Sequence, residues 1–162
     1  MTTILGLDLA QKTGLCVLAA EGPRLIWSDS VLLAAKDPGK RLLALQKVLV
    51  DIIERYHPDE IAMEDVFLPA KTSPRTPISL GELRGVARLC AARFEIPVSF
   101  YAPRQVKMTI TGNGAAAKDD VIRLVESEFH VHLKDDNQAD AISVAYTHML
   151  ARRFRNFEGV KV

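Results

Sequence analysis

Cysteine, aromatic residues and an excess of charge of either sign are all scarce in this chain. Its 162 residues include two cysteines, one tryptophan and four histidines, and the formal net charge at pH 7 is +1. The cysteines, Cys16 and Cys90, lie in apolar segments and are too few for a disulfide framework. We therefore expect buried free thiols in a reducing compartment rather than a disulfide or a zinc site.

Long apolar runs are absent as well. None approaches the ~18–20 residues of a membrane span, and the N-terminus lacks a basic region followed by a long apolar stretch. We therefore expect a cytoplasmic protein without a membrane partner. With 48% hydrophobic residues the chain can bury a sizeable core, so we expect one domain at residues 1–155 and a short tail at 156–162.

Charge is unevenly distributed despite the small net value. The stretch from Asp65 to Lys118 contains eight basic and only three acidic residues. A basic region attracts a polyanion such as nucleic acid, although exposed helix faces carry similar charges in many other proteins.

Hydrophobic periodicity and turn residues divide the chain into ten elements. The expected strands are 2–9, 15–20, 24–33, 61–64 and 97–101, and the expected helices are 40–56, 79–94, 104–109, 118–129 and from 136 or 137 to 153. Ser79, followed three residues later by Glu82, has the spacing of a capping box at the start of the second helix. Three antiparallel strands, a helix and then alternating strands and helices predict an α/β fold of the ribonuclease-H-like type. We expect a five-stranded mixed sheet, with three antiparallel strands followed by two parallel ones, flanked by helices.

Three carboxylates end or begin apolar core elements. Asp8 and Glu64 lie at the ends of apolar strands, and Asp140 opens the apolar part of the last helix. Such a carboxylate is costly to bury unless a cation or hydrogen bonds compensate it. Three of them on separate core elements predict a divalent-metal site with oxygen ligands. An Mg²⁺-dependent nuclease is the leading hypothesis.

Several short motifs support that hypothesis because they follow one another in the order of a known family. They are residues 4–8, 63–67, 80–87 and 101–107, the segment 112–114 followed by Lys118, and residues 139–141 with Thr147 and His148. With these motifs over nearly its whole length, the chain resembles the RuvC family of Holliday-junction resolvases.

The resemblance implies a homodimeric, metal-dependent endonuclease that makes paired nicks in four-way DNA junctions. Asp8, Glu64 and Asp140 match the metal-binding carboxylates of the family. Two Mg²⁺ ions about 4 Å apart, with Mn²⁺ as a substitute, are expected to activate a water and stabilise the leaving 3′-oxygen. The implied partners are four-way or other branched DNA and host recombination or branch-migration proteins, in a prokaryotic cell or a phage-infected host.

The fourth ligand is less clear from the motif. The family usually has Asp or His three residues before the last aspartate, and here that position is Asn137. Asp136 precedes Asp140 by four residues, which is also about one helical turn. We expect Asp136 to be the fourth carboxylate, with Asn137 as a neutral ligand the close alternative. Asp135 is expected to be a solvated charge at the helix entry.

The family also implies contacts with DNA. Phe67 matches an aromatic residue that inserts at the junction centre, although a Phe directly after a buried strand is equally ordinary core. The expected contacts with the DNA backbone are Lys107, Lys118, Gly112, Gly114 and, less strongly, Arg104, with Lys71 and Arg75 weaker candidates. We expect Arg84 and Gly85 to serve helix packing or the dimer contact, and we assign that contact to the helix around residues 80–94.

Other functions remain open at this point. A nuclease for flaps or forks is one alternative. A RuvC-like homologue without resolvase activity, either a junction-binding module or a YqgF-type RNA-processing nuclease, is another, and the departure at Asn137 favours it. The intact carboxylates, with Phe67 and Lys107, favour the resolvase. Actin-like sugar kinases also begin with an apolar run ending in Asp, but they need two such domains and a glycine-rich loop where this chain has Ala10-Gln11-Lys12.

Overall fold

The computed structural model describes residues 1–65 and 75–158. Its elements are β1 (Thr3–Asp8), β2 (Lys12–Ala19), β3 (Arg24–Leu32), α1 (Pro38–Tyr56), β4 (Glu60–Glu64), α2 (Arg75–Arg93), β5 (Val98–Tyr101), α3 (Pro103–Thr111), α4 (Lys118–Phe129) and α5 (Asp136–Glu158). Within these ranges no helix combines the length and the apolar character that crossing a bilayer requires.

The five strands form one mixed sheet in the order β3-β2-β1-β4-β5. The pairs β1–β2 and β2–β3 are antiparallel, whereas β1–β4 and β4–β5 are parallel. The parallel pairs are connected through α1 and α2, as parallel strands require a crossover. The predicted ribonuclease-H-like architecture is confirmed.

Helices cover both faces of the sheet. Alternation along β1 sends Ile4 into a core shared with α3, α4 and α5, and sends Leu5 and Leu7 into a core shared with α1 and α2. The two cysteines are free and buried, as expected, and they lie in the two different cores. The sheet therefore separates the thiols.

Three predicted boundaries were wrong. α2 begins at Arg75, so Ser79 lies inside the helix and caps nothing; Pro77 is tolerated there because it falls in the first turn. β2 begins at Lys12 rather than residue 15, since pairing with β1 and β3 extends it into the expected turn. α5 continues to Glu158 rather than ending at residue 153.

Two glycines let α5 lie directly on the sheet. A Cβ on Gly6 of β1 would be 2.3 Å from the carbonyl oxygen of Ala141, and one on Gly14 of β2 would be 1.9 Å from that of Asn137. Both distances are far below van der Waals contact, and backbone atoms of a helix cannot move aside cheaply. Any side chain at either position would push the first turns of α5 away from β1.

A buried polar network holds α5 beyond its midpoint. The imidazole of His148, which is 1% exposed, lies between the hydroxyl of Tyr101 on β5, 2.7 Å from Nδ1, and the carboxylate of Glu60 on β4. Arg152 donates from Nε to the other Glu60 oxygen at 2.7 Å. Burial lowers the pKa of His148, although Glu60 acts in the opposite direction. A neutral imidazole that accepts from Tyr101 and donates to Glu60 satisfies this network.

We expect Gly14→Ala to be strongly destabilising. Forced overpacking in a rigid core typically costs ~1–3 kcal/mol, and this contact is with backbone, so the upper end applies. Urea unfolding should show that loss, whereas Gly22→Ala is the matched control, because a Cβ there meets nothing within 4 Å. Equal stability of the two variants would contradict the close packing of α5 on β2.

Candidate metal centre and nucleic-acid interface

The structure brings Asp8, Glu64 and Asp140 together at the carboxyl ends of β1 and β4. Leu7 of β1 and Met63 of β4 are register partners in the parallel pair, so Asp8 and Glu64 end neighbouring strands. Both follow a residue that points into the core beneath α1 and α2, and alternation therefore turns them to the opposite face, which α5 covers. Asp140 lies on α5 one residue before Ala141, whose carbonyl approaches Gly6.

The electrostatics of the three carboxylates indicate a cluster whose negative charge is only partly compensated. Burial, followed by the charges of Asp140 and Glu64, raises the pKa of Asp8 from 3.8 to about 7. Burial and the charge of Asp140 raise the pKa of Glu64 to about 7 as well. The pKa of Asp140 is also raised, first by burial, with Lys118 opposing the shift. Asp140 raises the pKa of both Asp8 and Glu64, and Glu64 raises that of Asp8, because like charges share a poorly solvated space.

Two lysines face this cluster. Lys118, the first residue of α4, makes an ion pair with Asp136 through Nζ and Oδ2, and Nζ lies 3.9 Å from Oδ2 of Asp140. The charge of Lys107 on α3 lowers the pKa of Glu64, as does that of Lys118. Four carboxylates thus face two ammonium groups, which leaves an excess of negative charge in the site.

The donor set fits a divalent cation. Carboxylate oxygens are the hard ligands that Mg²⁺ and Mn²⁺ take in proteins, and a cation would offset both the burial and the repulsion that raise the pKa values. Among the described residues, however, no group of three or more His, Cys, Asp or Glu side chains converges closely enough to form a finished metal cage. Metal binding therefore calls for rotation of side chains that the backbone already places at the site.

Asp136 and Asn137 differ in how they face the cluster. The charge of Asp136 raises the pKa of both Asp8 and Asp140, so its carboxylate is electrostatically part of the site. The amide of Asn137 donates from Nδ2 to Oδ1 of Asp136 at 3.3 Å. Asn137 therefore supports the neighbouring carboxylate in this arrangement.

Asp135 was expected to be a solvated charge, and that expectation was wrong. Its side chain is 14% exposed, and its Oδ1 accepts the backbone N–H of Gln138 at 3.1 Å, which is the pattern of a helix N-cap. Oδ2 is 2.7 Å from Nζ of Lys12 and also accepts from the hydroxyl of Ser30. Burial by itself would raise the pKa of Asp135, but these hydrogen bonds outweigh burial and lower the pKa to about 2. An aspartate directly before an apolar-periodic stretch is the signal that could have identified this cap.

Two adjoining clefts flank Glu64. Asp140, Lys107 and Lys118 line one of them. Asp8 and Arg84 line the other, a cavity of about 190 Å³ that also includes Leu80 and Asp65.

Arg84 belongs to this site, which the sequence did not predict. Its Nη1 is 2.9 Å from Oδ1 of Asp65, and its guanidinium stacks 4.5 Å from the ring centroid of Phe100. It therefore holds a positive charge in the cleft beside Asp8 and Glu64. No spacing rule connects Arg84 with those carboxylates, since the approach of α2 to the sheet is a tertiary contact.

The other expected DNA contacts lie around the α3–α4 connection. Gly112 ends α3 with φ +72°, a left-handed conformation that favours glycine. Gly114 packs on Arg104, whose Cγ would be 2.6 Å from a Cβ at that position. Arg104 is exposed and lies one turn before Lys107 on α3. Phe67 and Lys71 lie outside the described residues, as does the side chain of Arg75.

Comparison with known proteins agrees with this geometry. The family model for crossover junction endodeoxyribonuclease RuvC matches residues 4–148. The RuvC of Ruegeria pomeroyi is 39% identical over 149 residues, which cover 90% of this chain and 89% of that protein. The RuvC of Anaeromyxobacter sp. strain K is 38% identical over 154 residues, covering 93% and 82%.

A solved structure shows the same fold. Thermus thermophilus RuvC in complex with a Holliday junction superposes with a TM-score of 0.85 at 25% identity, covering 96% of this chain and 97% of that one. Family membership implies a divalent-metal-dependent nuclease, which the carboxylate cluster fits. The chain therefore belongs to the RuvC family of crossover junction endodeoxyribonucleases.

Proposed function

We propose that this protein is a structure-selective DNA endonuclease that resolves four-way junctions by paired nicks, in the cytoplasm of a bacterial or phage-infected cell. The observation that carries the proposal is the cluster of Asp8, Glu64 and Asp140, whose raised pKa values mark a site built for cations. Relatives at 38–39% identity named crossover junction endodeoxyribonuclease support the substrate.

The carboxylates hold the metal and the lysines hold the substrate. Asp8, Glu64 and Asp140 would bind two Mg²⁺ ions, or Mn²⁺ as a substitute, with Asp136 as the fourth ligand. The bound ions supply an activated water and charge stabilisation for the leaving 3′-oxygen. Lys107 and Lys118, which line the cleft between Glu64 and Asp140, would pair with the phosphates on either side of the scissile bond.

Further contacts would orient the junction. Gly112 and Gly114, followed by Lys118, allow the connection between α3 and α4 to approach the DNA backbone, with Arg104 beside them. Phe67 would stack on an unpaired base at the junction centre, where such stacking contributes ~1–3 kcal/mol per base. Flaps and forks are the competing substrates, and branch-migration proteins are the partners that such a reaction calls for.

A homodimer would supply the two active sites that paired nicks require. α2 carries a stripe that faces away from the core: Ile78 and Leu89 are 63% and 64% exposed, and a Cβ on Gly81 or Gly85 would meet nothing within 4 Å. Apolar residues beside small ones on one helix face allow two helices to approach closely. This stripe supports the contact that we assign to α2.

The first prediction concerns the chemistry. Asp8→Asn, Glu64→Gln and Asp140→Asn should each slow cleavage of a radiolabelled four-way junction in Mg²⁺ at least about 100-fold while junction binding is retained, because each removes a ligand charge. The control variant is Asp51→Asn, because Asp51 is an exposed residue of α1. Flap and linear duplex substrates, assayed in parallel, test the selectivity for the four-way junction. Faster cleavage of the flap than of the junction would contradict a resolvase.

The fourth ligand can be tested in the same assay. Asp136→Asn should reduce cleavage far more than Asn137→Ala, because Asp136 brings a charge to the cluster and Asn137 brings only a hydrogen bond to it. Loss of activity in Asn137→Ala with near-normal activity in Asp136→Asn would assign the position to Asn137.

The raised pKa values also predict instability without metal. Since Asp8 keeps its proton up to about pH 7 in the fold but only to about pH 4 when unfolded, its contribution to stability is complete below pH 4 and is lost as the pH rises to 7. In EDTA at pH 8, Asp8→Asn should raise the melting temperature by about 3 °C or more, given ~2–4 °C per kcal/mol. This rise in melting temperature should be smaller at pH 5.

Calorimetry with Asp51→Asn as control checks this effect, and Mg²⁺ should stabilise the wild type more at pH 8 than at pH 5. A lower melting temperature for Asp8→Asn at pH 8 would mean that Asp8 makes a stabilising contact in the metal-free protein.

The dimer is tested by placing a charge in the stripe of α2. Leu89→Glu should reduce the mass measured by light scattering from twice the 17.9 kDa of the chain to the single value, since an interface cannot bury an unpaired charge. Phe154→Glu is the control because Phe154 is 71% exposed on α5. A wild-type monomer at micromolar concentration, unchanged by junction DNA, would reject the dimer.

A further inference from the structure

Both carboxylate oxygens of Asp136 are already engaged within the protein. Oδ2 pairs with Nζ of Lys118, and Oδ1 accepts from the amide of Asn137 at 3.3 Å. The same ammonium group lies 3.9 Å from Oδ2 of Asp140. A metal ion that binds either oxygen of Asp136 must therefore share that oxygen with one of these donors or displace the donor, and the ammonium group of Lys118 repels a cation beside it.

Lys118 is the contact that can open. Its side chain is 60% exposed, it stands at the first position of α4, and a lysine stem has four rotatable bonds. The charge of Lys118 reaches the whole cluster, since it lowers the pKa of Asp8, Glu64 and Asp140. In the metal-free protein this ammonium group thus does the compensating work of a cation.

We propose that Lys118 is an exchangeable cation of the site: it pairs with Asp136 in the metal-free protein, and metal binding displaces it so that it becomes available to a DNA phosphate. This inference rests on the proposed function and deepens it, because it makes the phosphate contact of Lys118 conditional on metal. The site would then acquire its full affinity for substrate only when it is competent for hydrolysis.

The charge balance agrees with this exchange. With Lys118 in place the cluster of four carboxylates and two lysines remains negative, which repels a phosphate. One divalent ion at Asp136 and Asp140 would neutralise that excess of two negative charges, and a second ion would make the site positive. An ammonium group displaced from Asp136 would then be free to pair with a phosphate of the substrate. Competition between the lysine and the metal for one carboxylate follows from the shared oxygen, whichever ion binds.

The first test measures metal affinity without DNA. The folded variant Lys118→Met should bind Mn²⁺ about two- to tenfold more tightly than the wild type, as judged by the EPR signal of the free ion, because an exposed ion pair no longer competes. Lys107→Met is the matched control, since it removes an equal charge that also acts on Glu64 and Asp140. Weaker binding by Lys118→Met, or an equal gain in both variants, would overturn the exchange.

A double-mutant cycle separates exchange from general charge. In an Asp136→Asn background the gain from Lys118→Met should vanish, since the contested carboxylate is gone. The same fold-gain in both backgrounds would overturn the proposal. Lys118→Arg should bind Mn²⁺ no more tightly than the wild type, because it keeps the competing cation.

The second test measures junction binding against salt. With Ca²⁺ present, Lys118→Met should flatten the slope of log K on log salt by about one unit; in EDTA the slope should be nearly that of the wild type. Equal flattening in both conditions would mean that Lys118 is free to reach phosphate without metal, which overturns the exchange. Absence of junction binding under every condition would instead reject the proposed function, and the Mn²⁺ titrations would still decide the exchange.

Discussion

The contact of α5 with two glycines of the sheet is the constraint on which the active site depends. Gly6 and Gly14 leave the helix backbone within a distance that any Cβ would block. Asp8 can therefore share a poorly solvated space with Asp140, where burial, followed by the charge of Asp140, raises the pKa of Asp8. Displacing the helix would move Asp140 away from Asp8 and Glu64 and weaken this coupling, because the interaction of two charges falls with their distance.

The first turn and the middle of α5 are held by charge as well as by packing. Asp135 caps its first turn and binds Lys12 and Ser30 of the β2–β3 hairpin. Two turns beyond Asp140, His148 joins the helix to Glu60 at the opposite end of β4 from Glu64. These contacts hold the helix against the strand that carries Glu64 and oppose sliding of the one along the other.

The carboxylate site works against stability while the metal is absent. Burying acids whose pKa values rise to about 7 costs free energy at neutral pH, and the lysines recover only part of it. The rest of the structure must supply the difference through the two apolar cores. A cation that neutralised the cluster would relieve this cost, so the proposed metal binding would also stabilise the fold.

The sequence by itself determined the elements, the topology and the three carboxylates, because periodicity follows from local geometry and because an acid at the end of an apolar strand is rare without a ligand. Only the tertiary structure decided the role of Asp135 and the entry of Arg84 into the cleft beside Glu64. It also decided the pairing of Lys118 with Asp136 across two helices. Each of these depends on the distance between elements far apart in the chain, which core packing and two glycines set and which no local pattern encodes.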